Sequence, residues 1–515
     1  MWLLTVFLCL GILTWQLYKT FLNYFQWPID SIYREANVRP VFPDVTVCNI
    51  YPMAYANSMH LHYDDYLGFT SKKKQLLPYN MTKGVADVSE ADYGFVWSLI
   101  MSPLGYFSSL PVSERARDLI IDYNYFSWDW SQNKVRGSFR GVWSPDYSMC
   151  YTLKLDRAKL TEVRALSLVV YIDNFPNVSV TATTYTPRPY TPRPKDAVAT
   201  GIRVIVHAPG TQPNLKVGLS VGPGTETTLH VSNTLRTRLP SPYSSCTEER
   251  YLDDPDPSDD GGLAETYSKD ACYEVCLQRQ VVERCGCVSG FLQFTRRQMS
   301  LVNNTICGNQ SLNAGVDSDL TNVDGFKQLA CMLNADVDLD NCERQCLDSC
   351  EENQYDVVVS TAPWPHVTKQ LDVFATYISG KGYDNIKREK FVEYGDIWNA
   401  SKTLSAEEVV RRLGQLHRLE ENFIQLNVIF DKMNPMTLRS VPAVTSEKLL
   451  SLVGGTLSLW LGITVVNAIE FIDFLYAVLL AVRKSKKTAP SPGSSTTDDQ
   501  HKFTFKERAP SVSQC

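Results

Sequence analysis

Two apolar stretches, one near each end of the chain, bracket everything else and limit what it can fold into. The first, Trp2–Leu17 (WLLTVFLCLGILTWQL), is uncharged and leads through Tyr18-Lys19 into an aromatic stretch ending at Trp27-Pro28. A bilayer-spanning helix needs roughly 20 residues, a length reached by extending through Phe21 and Tyr24 to Phe25, with Trp and Tyr as interfacial anchors. A cleaved signal peptide is the competing reading, but no basic n-region or small-x-small cleavage site is present. A span that opens at residue 1 predicts a natural N-terminus further upstream. The second stretch, Leu449–Val482, has 34 residues. At about 1.5 Å per residue it would reach about 50 Å, well beyond a hydrocarbon core of about 30 Å. It must therefore tilt, protrude or break, and Gly454, Gly455 and Gly462 offer places to break. The run Arg483-Lys-Ser-Lys-Lys487 places the following tail in the cytoplasm. A large exported loop between two spans then requires a cytoplasmic N-terminus as well.

Asn467, Glu470 and Asp473 interrupt the second stretch. The two carboxylates stand three apart and share a helix face. Burying them is costly unless that face lines water or finds a partner, although snorkelling toward headgroups beside Arg483 and Lys484 is an alternative. A ring of such carboxylates from several copies would attract cations. Two spans cannot enclose a pore alone, so a pore of this kind is oligomeric.

The intervening region carries twelve of the fourteen cysteines, from Cys48 to Cys350, leaving only Cys9 and Cys515 outside it. Sequons at Asn80, Asn177, Asn303, Asn309 and Asn399 fall in the same region. Together they indicate an oxidising compartment, a disulfide-bonded ectodomain and glycosylation. Zinc is the alternative, through Cys272-x3-Cys276 and Cys285-x-Cys287, but histidines at finger-like spacing are lacking; no metal site is expected. Leu166–Asp173, Gly201–Ala208, Thr228–Asn233 and Phe423–Phe430 read as strands. Ser405–Glu421 reads as one surface helix with Ser405 as N-cap, Glu408 closing a capping box, and Val409, Val410, Leu413, Leu416 and Leu419 on its apolar face. Without a regular βαβ period, the class is α+β.

Tyr185–Pro194 is a tandem YTPRP repeat, read as an exposed polyproline-like loop. Glu248–Asp260 is an acidic run, read as a solvated loop, since no calcium-loop spacing supports a cation site. The tail from 483 to 515 is Ser/Thr/Pro-rich beyond its basic start, and reads as disordered. There is no GxSxG, HExxH or P-loop, and the seven histidines are scattered, so an enzyme is not expected. The net charge of −6, with no basic stripe of interleaved aromatics, argues against nucleic acid, and no nucleic-acid partner is expected.

Four segments resemble the degenerin/epithelial sodium channel family. Phe42-Pro43-Asp44-Val45-Thr46-Val-Cys48-Asn49 is similar to its FPAVTxCN signature. Gly141–Tyr151 resembles the strand at its second cysteine. The block Cys272-x3-Cys276-x8-Cys285-Gly-Cys287, with Cys342-x3-Cys346-x3-Cys350-x4-Tyr355, is similar to its thumb. Gly454-Gly455-x6-Gly462-Ile463-Thr464, followed by Glu470, resembles its pore helix. The resemblance implies a membrane protein, a trimer whose two transmembrane helices flank a disulfide-rich α+β ectodomain of palm, finger, thumb, knuckle and β-ball. The corresponding domains are a first span (1–27), the ectodomain (28–445) with its cysteine-rich thumb (246–370), a second span (446–482) and a cytoplasmic tail (483–515). Spacing alone leaves on the order of ten thousand pairings of twelve cysteines. The resemblance implies Cys48–Cys150, Cys246–Cys350, Cys272–Cys346, Cys276–Cys342, Cys285–Cys331 and Cys287–Cys307.

It also implies a selectivity filter at Gly462, Ile463 and Thr464, with Thr in place of the family's Ser. The filter is flanked by gate and pore positions at Ser451, Gly454, Gly455, Glu470 and Asp473. The acid often found two residues before the glycine pair is Leu452 here, and the family's cytoplasmic His-Gly gating motif is not in this sequence. The implied function is a plasma-membrane sodium-permeable channel, amiloride-sensitive, with Na⁺ as permeant ion and no cofactor. Its partners would be lipid, related subunits in a homo- or hetero-trimer, and an extracellular peptide ligand. Leu239-Pro-Ser-Pro-Tyr243-Ser-Ser-Cys246 and the Asp44 form of the signature look closest to invertebrate peptide-gated members. Proton gating, mechanical gating, an ATP-gated channel with Lys72-Lys73-Lys74, and a non-conducting receptor or adhesion subunit are the alternatives.

Overall fold

The computed structural model describes residues 2–50, 116–133, 137–144, 147–174, 199–252, 265–303, 305–307, 328, 331–332, 334–380, 389–462 and 465–487. The proline repeat, most of the acidic run, Lys72–Lys74 and the tail after Lys487 lie outside them. The chain divides into two compact units, Ile29–Pro442 and a helical unit made by Met1–Pro28 with Ala443–Cys515.

Two sheets organise the large unit. The larger runs in the order β1 (Ile29–Glu35), β15 (Met436–Pro442), β10 (Thr225–Thr237), β14 (Phe423–Phe430), β7 (Val163–Tyr171), β3 (Ile120–Ser127) and β4 (Gln132–Asn133), with β13 (Glu351–Pro363) also paired to β10. The smaller has the order β5 (Ser138–Ser144), β6 (Ser148–Lys154), β2 (Asp44–Asn49), β8 (Ile202–His207) and β9 (Leu219–Val221). The long β10 serves three neighbours. It runs antiparallel to β13 along its whole length, and parallel to β14 through Glu226–Val231 and to β15 through Thr234–Thr237.

Period-two alternation sends the side chains of β7 to two different cores. Leu166, Leu168 and Val170 join Val45 and Val47 of β2 and Val204 of β8 between the sheets. Val169 and Tyr171 face the opposite side and pack with Val373, Phe374, Phe391, Tyr394 and Leu419. This second core lies under α4 (Val392–Ala400), α5 (Ala406–Leu413) and α6 (Arg418–Asn422). The result is three layers of helices, large sheet and small sheet, with the central strands β7 and β14 of the large sheet covered on both faces. Phe42 enters the inter-sheet core edge-on to Phe430, at 5.6 Å between ring centroids, and to Tyr125.

The expected strand Phe423–Phe430 has the same bounds in the structure, whereas Thr228–Asn233 is the middle of the much longer β10. The single helix expected over Ser405–Glu421 is instead two, interrupted at Gly414 and restarting at Arg418. Ser405 does accept from the Glu408 N–H. The reciprocal half of the capping box is absent because the Glu408 carboxylate binds Arg411 and Arg412, which lower its pKa to about 2.

A cysteine-rich subdomain is built on α2 (Lys269–Cys285) and α3 (Leu339–Gln345). Cys272 and Cys276 share a face of α2 at i,i+4 spacing and bond Cys346 and Cys342 at the end of α3 and within it. Cys285–Cys331, Cys287–Cys307 and Cys246–Cys350 complete the ladder, and Cys48–Cys150 joins β2 to β6. These are the six pairs that the resemblance implies. Each closes a loop of between 20 and 104 residues and restricts the unfolded chain.

The helical unit contains α1 (Trp2–Phe25), α7 (Ser446–Leu461) and α8 (Val465–Lys487). Of the three ways in which Leu449–Val482 could be accommodated, the structure shows the break, and it falls at Gly462, the last of the three candidate glycines. Among the described residues no helix is long and apolar enough to cross a membrane by itself. The 16 residues of α7 correspond to about 24 Å of rise, short of a bilayer core.

One charge pair is sealed inside the large unit. The Lys390 ammonium, 4 % exposed, lies 3.3 Å from the fully buried Asp173 carboxylate, and also donates to Asn422 Oδ1 at 2.7 Å and to the Asn174 carbonyl. The Tyr171 hydroxyl donates to the same carboxylate at 2.7 Å. Asp173 sits at φ +46°, a conformation that Asp and Asn tolerate better than other side chains with a Cβ. Lys390→Met strands the carboxylate and is expected to cost about 3–5 kcal/mol. Lys390→Met combined with Asp173→Asn should recover most of that loss. Thermal unfolding of the detergent-solubilised full chain, followed by size-exclusion chromatography, measures both.

Candidate functional site

The helical unit presents two different faces of α7. Val453, Thr456, Leu457 and Trp460 are half-buried, on the helix that packs against α1. The α1 seam repeats at helical spacing through Val6, Cys9, Leu13, Gln16 and Thr20. The other face of α7 carries Ser451, Gly454, Gly455, Ser458 and Gly462, all exposed. A Cβ added at Gly454, Gly455 or Gly462 would meet nothing within 4 Å, so this stripe leaves room for the backbone of another helix to approach closely.

At its start, α7 is capped by Thr445, whose hydroxyl accepts from the Lys448 N–H at 3.2 Å. At its end Gly462 adopts φ +65° and donates its N–H to Ser458 O at 3.0 Å. Glycine takes this left-handed conformation without the cost a Cβ imposes, which explains why the break falls here and not at Gly454-Gly455, both of which are helical. Ile463 and Thr464, the rest of the expected filter, lie outside the described residues. Beyond the break, α8 carries Glu470 and Asp473, both exposed. Among the described residues neither has a cationic partner.

A second polar constellation lies inside the large unit, behind the Phe42–Asn49 signature. Asp44 is buried, and its Oδ2 accepts from the Gly210 N–H at 2.9 Å. Gly210 stands at φ +80°, and its carbonyl accepts from the Thr266 N–H at 2.9 Å, two residues before the Ser268 N-cap of α2. Arg140 pairs with Glu265, which also receives Gln212. A continuous set of hydrogen bonds and ion pairs therefore connects β2 and β5 of the small sheet to the base of the disulfide-bonded helix. Beside it, His207 bonds Thr46 at 2.9 Å and Thr211 at 3.0 Å, and Thr46 bonds Thr152 at 2.7 Å. From β13, the Tyr355 hydroxyl donates to Val41 O at 2.9 Å.

Burial raises the Asp44 carboxyl to about 6, against the opposing pull of the Gly210 N–H and of Lys154, Arg140 and Arg157. Burial and the neighbouring Lys154 lower His207 to about 3. Nothing in the spacing of the sequence announced the contacts of either residue. The one available signal was Asp44 standing where the family signature has Ala. Of the expected sequons, Asn303 and Asn399 are exposed, whereas Asn80, Asn177 and Asn309 lie outside the described residues.

With this geometry established, comparison with known proteins identifies the family. The model of the amiloride-sensitive sodium channel family matches residues 1–474. The chain belongs to that family. Similar proteins include the FMRFamide-activated amiloride-sensitive sodium channel of Cornu aspersum, 27 % identical over 56 % of this chain and 50 % of the snail protein. They also include the epithelial sodium channel subunit alpha of Anolis carolinensis, 22 % identical over 97 % of this chain and 81 % of the lizard protein. A degenerin-like protein of Caenorhabditis elegans is 23 % identical over 91 % of this chain and 80 % of its own length. The match thus spans about half of the snail channel and four-fifths of the other two. Relatives are named as alpha, beta and delta subunits. The family is one of ion channels, not of enzymes.

Asp44 gives a pH dependence of defined sign. Its folded pKa, about 6, lies above the ordinary 3.8, so the folded state binds the proton more tightly. Its contribution is most favourable below pH 4 and is lost as pH rises through 6, by on the order of 3 kcal/mol in all. His207 acts oppositely: its pKa is depressed from 6.5 to about 3, and its contribution is lost as pH falls through that window. The difference between wild type and Asp44→Asn isolates the first effect. The variant is expected to melt several degrees higher at pH 7.5 and together with the wild type near pH 4, as read from thermal melts across pH.

Proposed function

We propose that this chain is one subunit of a trimeric, sodium-permeable cation channel of the plasma membrane, opened by a neuropeptide acting on its large extracellular unit. The observation that carries the reading is the break at Gly462, set between the small-residue stripe of α7 and the two carboxylates of α8. An interrupted helix is tolerated in a bilayer where the freed backbone lines water or protein. In this reading α1 is the first span, α7 and α8 with their break form the second, and both termini are cytoplasmic. Lipid covers the outward apolar residues such as Leu450 and Leu459, each 74 % exposed. Three copies bring Ser451, Gly454 and Gly455 together around one axis, Gly462–Thr464 form the constriction, and rings of Glu470 and Asp473 concentrate Na⁺ below it. A simple membrane anchor has no use for that stripe, break and acid pair.

The disulfide-bonded helices correspond to the family's thumb and the large sheet to its palm. A ligand signal received at the thumb has a covalent route toward the pore: β1 follows α1 after Gln26-Trp27-Pro28, and β15 precedes α7 by Ala443-Val444-Thr445. Peptide gating is favoured by the likeness to the FMRFamide-activated snail channel. Acid gating is the second reading, favoured by the buried Asp44 whose carboxyl titrates in the mildly acidic range.

Two-electrode recording from oocytes expressing the full chain tests both. A panel of amidated neuropeptides is expected to evoke an amiloride-sensitive inward sodium current. Glu470→Gln should reduce that current several-fold, and Gly462→Val, which places a β-branched residue at positive φ, should abolish it. Current evoked by acid alone would replace the peptide by the proton. Silence with normal surface labelling would contradict the homomeric channel.

A further inference from the structure

The helices α1 and α7 are joined by one side-chain hydrogen bond among the described residues: Trp460 Nε1 donates to Gln16 Oε1 at 2.7 Å, across 444 residues of sequence. Both side chains are half-buried on the seam between the helices. The other polar groups of the α1 seam are satisfied locally. Thr20 donates to Gln16 O, and on the flank Thr14 donates to Leu10 O and Gly11 O. Lys19 lies over the ring of Trp15, 4.3 Å from its centroid. Gln16 alone reaches across. In a bilayer an unpaired amide or indole N–H is costly, and interhelical side-chain bonds there hold two helices in one mutual rotation.

The place of this bond gives it a consequence. Trp460 stands two residues before Gly462, in the last turn of α7, the turn closed by the Gly462 N–H to Ser458 O bond. On the opposite face of this turn lie Ser458 and Gly462. Rotating the turn about the helix axis would swing both. We infer that Gln16 is a positioning residue for permeation: by accepting from Trp460 it fixes the rotation of the last turn of α7, and hence the direction in which the chain leaves Gly462. This inference rests on the channel reading given above. It assigns to a first-helix amide a share in ion selectivity, although that amide meets the face of α7 turned away from the small-residue stripe.

The test is a double-mutant cycle read as a permeability ratio. Gln16→Met keeps length and flexibility but removes the acceptor; Trp460→Phe keeps an aromatic ring but removes the donor. Reversal potentials with sodium, lithium and potassium as the external cation give the ratios, and surface labelling gives the amount of protein. Each single variant is expected to change the sodium-to-potassium ratio by about threefold, in the same direction, and the double variant by no more than either alone. A role limited to folding would lower surface labelling and leave the ratio unchanged. Unchanged ratios in conducting single variants, or additive changes in the double, would overturn the inference while leaving the channel reading intact. Should Gln16→Met reach the surface without conducting, Gln16→Asn, shorter by one methylene, is expected to conduct with an intermediate ratio, and a wild-type ratio there would overturn it. A wild-type chain that is silent at the surface would overturn the channel reading and this inference with it.

Discussion

The pairing of β1 with β15 is the constraint on which the rest of the large unit depends. Ile29 faces Pro442 and Glu35 faces Met436 along an unbroken antiparallel register, so nearly the whole unit is a loop closed by this one ladder. Closing so long a loop carries an entropic cost, one that rises only slowly with its length. The compensation lies in β10, which binds β15 through one half and β14 through the other, and in cores on both faces of the sheet. Immediately outside the ladder, the Ala443 N–H donates to the Pro28 carbonyl at 2.9 Å, so the two strands of the chain enter the helical unit side by side.

Burial of the central strands of this sheet on both faces also determines where polar groups can survive. Asp173 with Lys390, on the helical side, is a complete pair with a Tyr171 hydroxyl and an Asn422 amide added. Asp44, on the other side, has a backbone N–H and more distant cations, and burial raises its carboxyl to about 6. What differs between the surroundings of the two carboxylates is a cation in contact. Asp44 joins the small sheet to the loop that holds the base of the disulfide-bonded helix, so a change in its charge alters a junction between subdomains.

Much of this fold was legible in the sequence, for identifiable reasons. Phe423–Phe430 alternates apolar and polar residues between a helix end and an Asp, and its bounds were readable to the residue. The middle of β10 was readable, but its ends were not, because Glu226, Thr227 and Arg236 carry no strand pattern and are held there by β13, β14 and β15. The break at Gly414 was hidden by apolar residues that keep helical spacing across it. The six cysteine pairs followed from family resemblance and not from spacing. For the site, the glycines and acids of the second apolar stretch stood out because charge and helix breakers are out of place there. The contacts of Asp44, and the bond between Gln16 and Trp460, join residues far apart in sequence whose side chains are unremarkable alone, and only the fold brings them together.

The proposed function requires that this chain itself forms a cation pore at the break between α7 and α8. Purified full-length protein reconstituted in a planar bilayer, with sodium as the only small cation, tests it most directly. The account predicts discrete unitary currents that amiloride blocks and that reverse with the sodium gradient. Trimers with all six intrachain disulfides formed that insert into the bilayer yet carry no unitary current under peptide or acid would contradict it.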